Sequence, residues 1–328
     1  MTDSSKSANE RWDAYWKHGF LTSCADAFQG NYGGAIARHW EQIFADIKRG
    51  EHVLDVCTGN GAVAALAARH GLQRGLDLTV TGIDLAAIEP DRALAATPEL
   101  LDAIQFHGRT PAQDTGLASQ SIDLAVGQYA LEYTPLPQTL DELARVVRPG
   151  GRLAFVLHDQ SSVILETTRE ELAHRERLAP PDDVLSAAAA LATAVAQARH
   201  AGRSPNDEPA AERARLALNA VAADTADAAR QSAHPEILMT ALGHAKRLFE
   251  SGSAGNPAAI PTALASARHE IEANFERLDD LMAAAATVAE RSTFFDQLCT
   301  AGFEVEKKGH VKEDNLLIGW FFSAIRAH

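Results

Sequence analysis

The densest chemistry in the sequence lies in VLDVCTGNGAVA, residues 53–64. An apolar run that reads as a strand ends at Asp55-Val56, small residues follow, and a helix begins near Ala62. Gly59 and Gly61 have no β-carbon, so the backbone there can approach a ligand closely and take dihedrals closed to other residues. The first turn of the helix offers unpaired N–H groups to the same ligand. About twenty residues later, LTVTGID ends a second apolar run at Asp84, where a carboxylate can accept two hydrogen bonds from ribose hydroxyls.

Those features alone leave a dinucleotide site open, because GNGAVA also satisfies the loose form G-x-G-x-x-A. Three others separate the readings. Asp55 stands inside the strand end just before the turn, where a pyrophosphate would be repelled and a cationic sulfonium bearing an amino group would be welcome. RPGGRLAFVLH then reads as a tight turn entering a fifth strand. Finally the chain closes with a helix, the run AGFEVEKKGHV and a last apolar strand, which can insert antiparallel at the sheet edge.

The elements that must position these residues fall into zones. Residues 1–50 read as helical, with Trp12, Tyr15 and Trp16 at the start and the loop GNYGG before a helix through about Trp40 to Ile47. Residues 51–159 alternate apolar runs with helical stretches, the pattern of a parallel sheet with crossover helices. The strands are HVLDV, LTVTGID, AIQF, IDLAVGQ and RLAFVLH, with helices at about 62–70, 91–97 and 137–147. From about 160 to 289 β-branched runs vanish and good helix formers dominate, punctuated by Pro180-Pro181, GRSPNDEP and SGSAGNP. A helix over about 262–289 carries the seam Leu264, Ile271, Phe275, Leu278, Met282, Ala285 and Val288; its nearest partner in sequence is the stripe Leu238, Leu242, Ala245 and Phe249. The chain returns to mixed texture with the helix TFFDQLCTAG and the strands FEVEKKGHV and NLLIGWFFSAI.

On these motifs the sequence resembles class I S-adenosylmethionine-dependent methyltransferases, especially the ubiquinone-biosynthesis-like small-molecule group, over about 50–159 and 290–326. The resemblance implies an α/β fold: a doubly wound, seven-stranded Rossmann-like sheet with an all-α insertion between strands 5 and 6. It implies S-adenosylmethionine as cofactor and no metal. It puts Asp55, Thr58, Gly59 and Gly61 around the methionine portion, Asp84 on the ribose and Leu85 against the adenine, with Cys57 and Asn60 of the same turn also binding the cofactor. Cys57 stands where the family's motif has its first glycine. TPAQDTGL looks like the segment flanking the adenine, but Pro111, Ala112 and Gln113 replace its usual acids, leaving Thr110 or Gln113 as substitutes. Gly127, Gln128 and Tyr129 fall near the transferred methyl.

Outside the motif the residues carry two meanings each. His158, at the carboxyl end of the fifth strand beside Asp159, is the candidate catalytic base; a polar strand end capped by solvent or by the following helix is the plainer alternative. Tyr32, Tyr129, Glu132 and Tyr133 are candidates for contact with the acceptor, against packing or capping roles. Trp12, Tyr15 and Trp16 at helical spacing read first as core.

The expected organisation is an N-terminal helical lid over 1–50, a cofactor-binding core over 51–159 and 290–328, and a helical cap over 160–289. Residues 160–290 hold 12 Lys and Arg against 19 Asp and Glu, so the cap is acidic and repels polyanions. A net charge of −14 disfavours nucleic acid, and no apolar run suits a membrane span or a secretory signal. Cys24, Cys57 and Cys299 form no CxxC pair, as in a reducing cytoplasm. The expected function is methyl transfer to an O or N nucleophile (hydroxyl, carboxylate or amine) of a small-molecule or peptide-like acceptor. The alternatives are a non-catalytic S-adenosylmethionine-binding module with the insertion as partner interface and, third, an NAD(P)-dependent oxidoreductase. Homodimerisation through the cap is the lesser expectation for partners.

Overall fold

The apolar runs of residues 51–159 become strands buried on both sides, because successive side chains point to opposite faces and both faces are apolar. The computed structural model describes residues 3–23, 30–253, 257–285 and 288–328; Cys24 and the side chain of Val288 lie outside them. Helices α1 (Asp3–Trp16) and α2 (Gly34–Phe44) precede β1 (His52–Val56), α3 (Ala62–Arg74), β2 (Thr79–Ile83), α4 (Pro90–Ala93), α5 (Pro98–Asp102) and β3 (Ile104–His107). Next come β4 (Ile122–Gln128), α6 (Leu136–Val146) and β5 (Val147–Leu157). Then follow α7 (Val163–Ala173), α8 (Val184–His200), α9 (Pro209–Gln231), α10 (Glu236–Ser253), α11 (Ile260–Ala284), α12 (Val288–Thr300), β6 (Phe303–Glu313) and β7 (Leu316–Arg326).

The seven strands form one sheet in the order β3-β2-β1-β4-β5-β7-β6. The pairs β2/β3, β1/β2, β1/β4 and β4/β5 are parallel, whereas β7 runs antiparallel to both β5 and β6. The order reverses between β1 and β4, so the turn leaving β1 opens into the crevice where sheets of this kind bind ligands. Val53, Val80, Leu124, Val126, Ala154 and Val156 face a core shared with α2 and α3. Leu54, Ile83, Ala125, Leu153, Phe155 and Leu157 face the opposite core, with α6, α12 and β7.

Several expectations need correction. Of the helix expected at 91–97 only α4 forms, ending at Ala93; α5 starts beyond it at Pro98, and Thr97, before that proline, lies outside the helical region with φ −138° and ψ 64°. The helix expected through Trp40 to Ile47 ends at Phe44. The segment 1–50 is not one peripheral lid: Ile36, Trp40 and Phe44 of α2 are buried in the core beneath the sheet. The last strand does insert antiparallel at this side of the sheet, as expected. It lies between β5 and β6, which explains the burial along its centre.

The chain divides into two compact units, Met1–Leu165 with Leu281–His328, and Glu166–Asp280. Within the second, Ile271, Phe275 and Leu278 of α11 share one buried cluster with Leu238, Ala241, Ala245 and Leu248 of α10 and with Leu185 and Ala188 of α8. The seam expected to run unbroken to Val288 does not. The helix ends at Ala284, and Leu281 and Ala285 cluster instead with Leu165 in the first unit. At the start of α8, the carboxylate of Asp183 accepts from the N–H groups of Leu185 (2.9 Å) and Ser186 (3.0 Å) and meets Arg268 at 3.0 Å. Phe275 is fully buried with the Arg175 guanidinium 4.8 Å from its ring centroid. Phe275→Ala is expected to destabilise the helical unit by about 3–5 kcal/mol, read as a lower urea midpoint by circular dichroism.

Candidate functional site

Between β1 and α3 the backbone takes a left-handed conformation three times, at Cys57 (φ 53°), Gly59 (φ 54°) and Gly61 (φ 98°). Cys57 thus holds a conformation that favours glycine, which accounts for a glycine at this place in the motif it resembles. A β-carbon on Gly61 would stand 2.6 Å from the Phe106 ring, so this glycine answers to packing. A β-carbon on Gly59 would stand 2.5 Å from the indole of Trp16.

Two carboxylates fix the turn. Asp55, 1% exposed, accepts from the Thr58 hydroxyl (2.6 Å) and the Ala64 N–H (2.9 Å), tying the strand end to the first turn of α3. Asp84 accepts from the N–H of Gly59 (2.8 Å) with one oxygen and from that of Ala86 (2.8 Å) with the other. Burial raises Asp55 to about 7 and Asp84 to about 6, against the lowering effect of those hydrogen bonds. The Cys57 thiol is pushed well above its ordinary value, first by burial and then by the charges of Asp84, Asp55 and Glu132. Three acids therefore crowd one turn, and their hydrogen-bond partners among the described residues are backbone N–H groups and a hydroxyl.

Helix α1 packs over this turn. Asp13 accepts from Ala87 N–H (2.6 Å) and pairs with Arg109 at 2.7 Å, while Trp12 meets the ring of Tyr133 at 5.9 Å. Asn60 is fully buried, donating to the carbonyls of Trp16 (3.0 Å) and Phe20 (2.7 Å) and accepting from Glu89 N–H (2.7 Å). Its side chain is engaged by the protein, in contrast to the ligand contact expected of it. Trp12 and Trp16 stack at 5.7 Å, and Trp16 is buried: packing residues, as read, but packed at the mouth of the turn.

At the ends of β4 and β5, Gln128 accepts from the Trp40 indole N–H at 2.7 Å, and its buried Nε2 has no hydrogen-bond partner among the described residues. Tyr129, left-handed at φ 54°, stacks on the His158 imidazole at 4.0 Å and 6°. His158 is 3% exposed, with its N–H given to Glu132 (2.8 Å) and its carbonyl accepting from Trp320 (2.9 Å). That environment, neither solvent-capped nor open, fits a buried strand end better than a base presented to an acceptor. Asp159 makes a buried ion pair with Arg291, anchoring α12 to β5. Burial raises Glu132 to about 7, and its Oε2 is buried without a hydrogen-bond partner among the described residues. Tyr133 meets His158 edge to face at 6.1 Å.

On the side of β2 and β3, Leu85 stays 40% exposed directly after Asp84, an apolar surface beside the acid. Thr110 donates its N–H to the Asp84 carbonyl at 2.8 Å. Ala112 is buried and Gln113 exposed, while Thr115 turns to Glu142 (2.6 Å). Tyr32 is buried in the core with α2 and α3, its hydroxyl 3.4 Å from Ser23. The acids, glycines and Gln128 gather around the crevice; Tyr32 is core. Asp13, Trp40 and Trp320 carry no site signal in the sequence, whereas Trp16 is announced there as core by its helical spacing with Trp12 and Tyr15.

The residues present suit a cationic nucleoside ligand, since buried acids lacking a cation are what such a ligand would relieve. Among the described residues no group of three or more His, Cys, Asp or Glu could hold a metal ion, and no helix is long and apolar enough to cross a membrane.

A family model described as a methyltransferase domain matches residues 54–155. The 2-phytyl-1,4-naphtoquinone methyltransferase of Synechococcus elongatus is 31% identical over 139 residues, 40% of this chain and 57% of that one. The ubiquinone biosynthesis O-methyltransferase of Coxiella burnetii is 29% identical over 112 residues, 33% of this chain and 43% of that one. The chain thus spans about half the length of the curated relatives it matches. Among solved structures, the Burkholderia thailandensis 1,6-didemethyltoxoflavin-N1-methyltransferase, with bound 1,6-didemethyltoxoflavin and S-adenosylhomocysteine, aligns over 48% of this chain and 65% of that one, at 20% identity and a TM-score of 0.36.

The buried acids carry a stability signature. In the folded chain Asp55 keeps its proton up to about 7, whereas the unfolded chain releases it near its ordinary 3.8. Between those values the native state binds more protons, so this residue's effect on stability becomes less favourable as pH rises through the window. Asp55→Asn is expected to remove that trend. Urea titrations at pH 5 and pH 8 check it: wild type should lose more stability than the variant, and equal losses would refute the assignment.

Proposed function

Residues 54–155 being a class I S-adenosylmethionine-dependent methyltransferase domain, we propose that the chain transfers a methyl group from S-adenosylmethionine to an oxygen or nitrogen nucleophile of a small-molecule or peptide-like acceptor. The observation that carries this reading is the crowding of Asp55, Asp84 and Glu132 about the turn at Cys57. A ligand with a positive sulfonium and ammonium compensates buried carboxylates; a pyrophosphate would be repelled by them.

In this reading Asp55, Cys57, Thr58, Gly59, Asn60, Gly61 and Gln128 surround the amino-acid portion, Asp84 takes the ribose hydroxyls, and Leu85, Ala112 and Gln113 border the adenine. Bound there, the cofactor supplies a methyl group already activated by its positive sulfur. The chain's own task is then alignment and exclusion of water. Gln128, anchored by Trp40, has a free amide N–H to offer a carbonyl or carboxylate oxygen. Tyr129, Glu132 and Tyr133 border the acceptor. A general base is needed only for a protonated or weakly acidic nucleophile, and the buried acid Glu132 suits that task better than the stacked ring of His158. Acceptor selection falls to residues outside the motif, the helical residues 160–289 among them.

Titration calorimetry with S-adenosylhomocysteine tests the assignment. Wild type is expected to bind it and to ignore NADH. Asp84→Ala is expected to weaken binding by at least about tenfold, since a charge-assisted hydrogen bond contributes roughly 1.5–3 kcal/mol. Unchanged affinity in a folded variant would show that Asp84 does not hold the ribose.

A further inference from the structure

A cavity of about 310 Å³ opens beside Glu132, walled by Leu131, Leu136, Leu157, Phe294 and Trp320 and by the end of α11, Ala283–Ala285. Its polar lining is Glu132, Thr134, Glu290, Thr293 and Gln297: two carboxylates and no basic side chain. Glu132 links this space to the glycine turn, because it lines the cavity and its charge also acts on the Cys57 thiol. One of its oxygens accepts from His158 N–H at 2.8 Å; the other, Oε2, is buried and without a hydrogen-bond partner among the described residues. A buried acceptor atom left without a donor costs free energy unless a donor fills the place.

From this juxtaposition we infer that the cavity is the acceptor site, and that its ligand is a small primary or secondary amine. The nitrogen sits at Glu132 and the apolar body lies against Leu131, Leu157, Phe294 and Trp320. The inference rests on the methyl-transfer reading and narrows its acceptor. A carboxylate or phosphate ligand is repelled by the acidic lining, and an alcohol leaves that charge uncompensated.

The protons and electrons balance as follows. An amine enters as its ammonium and gives one N–H proton to the Glu132 carboxylate, which frees the nitrogen lone pair. That pair forms the new N–C bond as the C–S bond breaks and its electrons pass to sulfur, leaving a neutral thioether and a methylated ammonium. The proton on Glu132 returns to solvent. Burial holds this carboxyl near neutrality, where it both takes and releases a proton readily.

The test uses the full chain with benzylamine as probe, and benzyl alcohol and benzoate as its neutral and anionic counterparts, followed by calorimetry or ligand-observed NMR. Wild type is expected to bind benzylamine at millimolar concentration or better, benzyl alcohol more weakly, and benzoate not at all. Glu132→Gln keeps an oxygen for His158 N–H but loses the charge, and is expected to weaken benzylamine at least about tenfold. Thr293→Trp, at an exposed position on the cavity wall, fills the space without touching the core and is expected to weaken it comparably. S-adenosylhomocysteine affinity is expected to stay within about twofold in Thr293→Trp. Failure of benzylamine to bind wild type, binding unchanged in Thr293→Trp, or benzoate binding as well as benzylamine would each overturn the inference while leaving the cofactor assignment intact. Conversely, wild type that binds benzylamine as expected but not S-adenosylhomocysteine would overturn the acceptor role together with the methyl-transfer reading, leaving an amine site.

Discussion

A carboxylate with almost no access to water has to be satisfied by whatever donors the chain can bring to it. At Asp55 that requirement shapes everything after β1. Its oxygens draw in the Thr58 hydroxyl and the Ala64 N–H, so the chain reverses within a few residues and enters α3 at a fixed angle. Left-handed backbone at Cys57, Gly59 and Gly61 is what so short a path demands. Asp84 repeats the device from the next strand, reaching back to the Gly59 N–H, so that β1 and β2 present one continuous polar rim at the switch point of the sheet. Neither acid is neutralised by a basic side chain among its hydrogen-bond partners, and both are held near neutrality by burial.

The rest of the sheet can be understood as a platform that keeps this rim rigid. Apolar residues on both faces let α2 and α3 cover one side while α6 and α12 cover the other. The antiparallel β7 then completes hydrogen bonding for β5 and carries Phe322 onto Phe155 at 5.7 Å. From the same strand Trp320 reaches the His158 carbonyl, and Arg291 of α12 meets Asp159. The carboxyl end of β5 is thus pinned from outside the parallel sheet, by residues more than a hundred positions away in sequence.

That separation explains what the sequence disclosed. The turn and both acids were legible because their spacing is local: a strand end, small residues and a helix start within VLDVCTGNGAVA, and a second acid one strand later. The strands of residues 51–159 were legible because double-sided burial leaves continuous apolar runs. The bond from Trp40 to Gln128 spans 88 positions and Trp320 to His158 spans 162, and no local pattern announces either. The end of α11 was hidden for another reason. Ala283–Ala286 are strong helix formers, so intrinsic preference argues for continuation, and no local breaker marks the end at Ala284. The side-chain bonds of Asn60 to the carbonyls of Trp16 and Phe20 likewise have no local signal in the sequence.

The indole of Trp16 occupies the volume above Gly59, and Asn60 fastens the carbonyls of Trp16 and Phe20. Any molecule that needs that volume competes with part of the polypeptide for it. Its apparent dissociation constant then equals the intrinsic one divided by the fraction of chains in which the indole has moved aside. Changes at residues 13–20 that loosen their grip would tighten ligand binding without adding a single contact to the ligand. The reciprocal also holds: an occupied crevice would leave the amino-terminal helix more exposed to proteolysis and hydrogen exchange than an empty one.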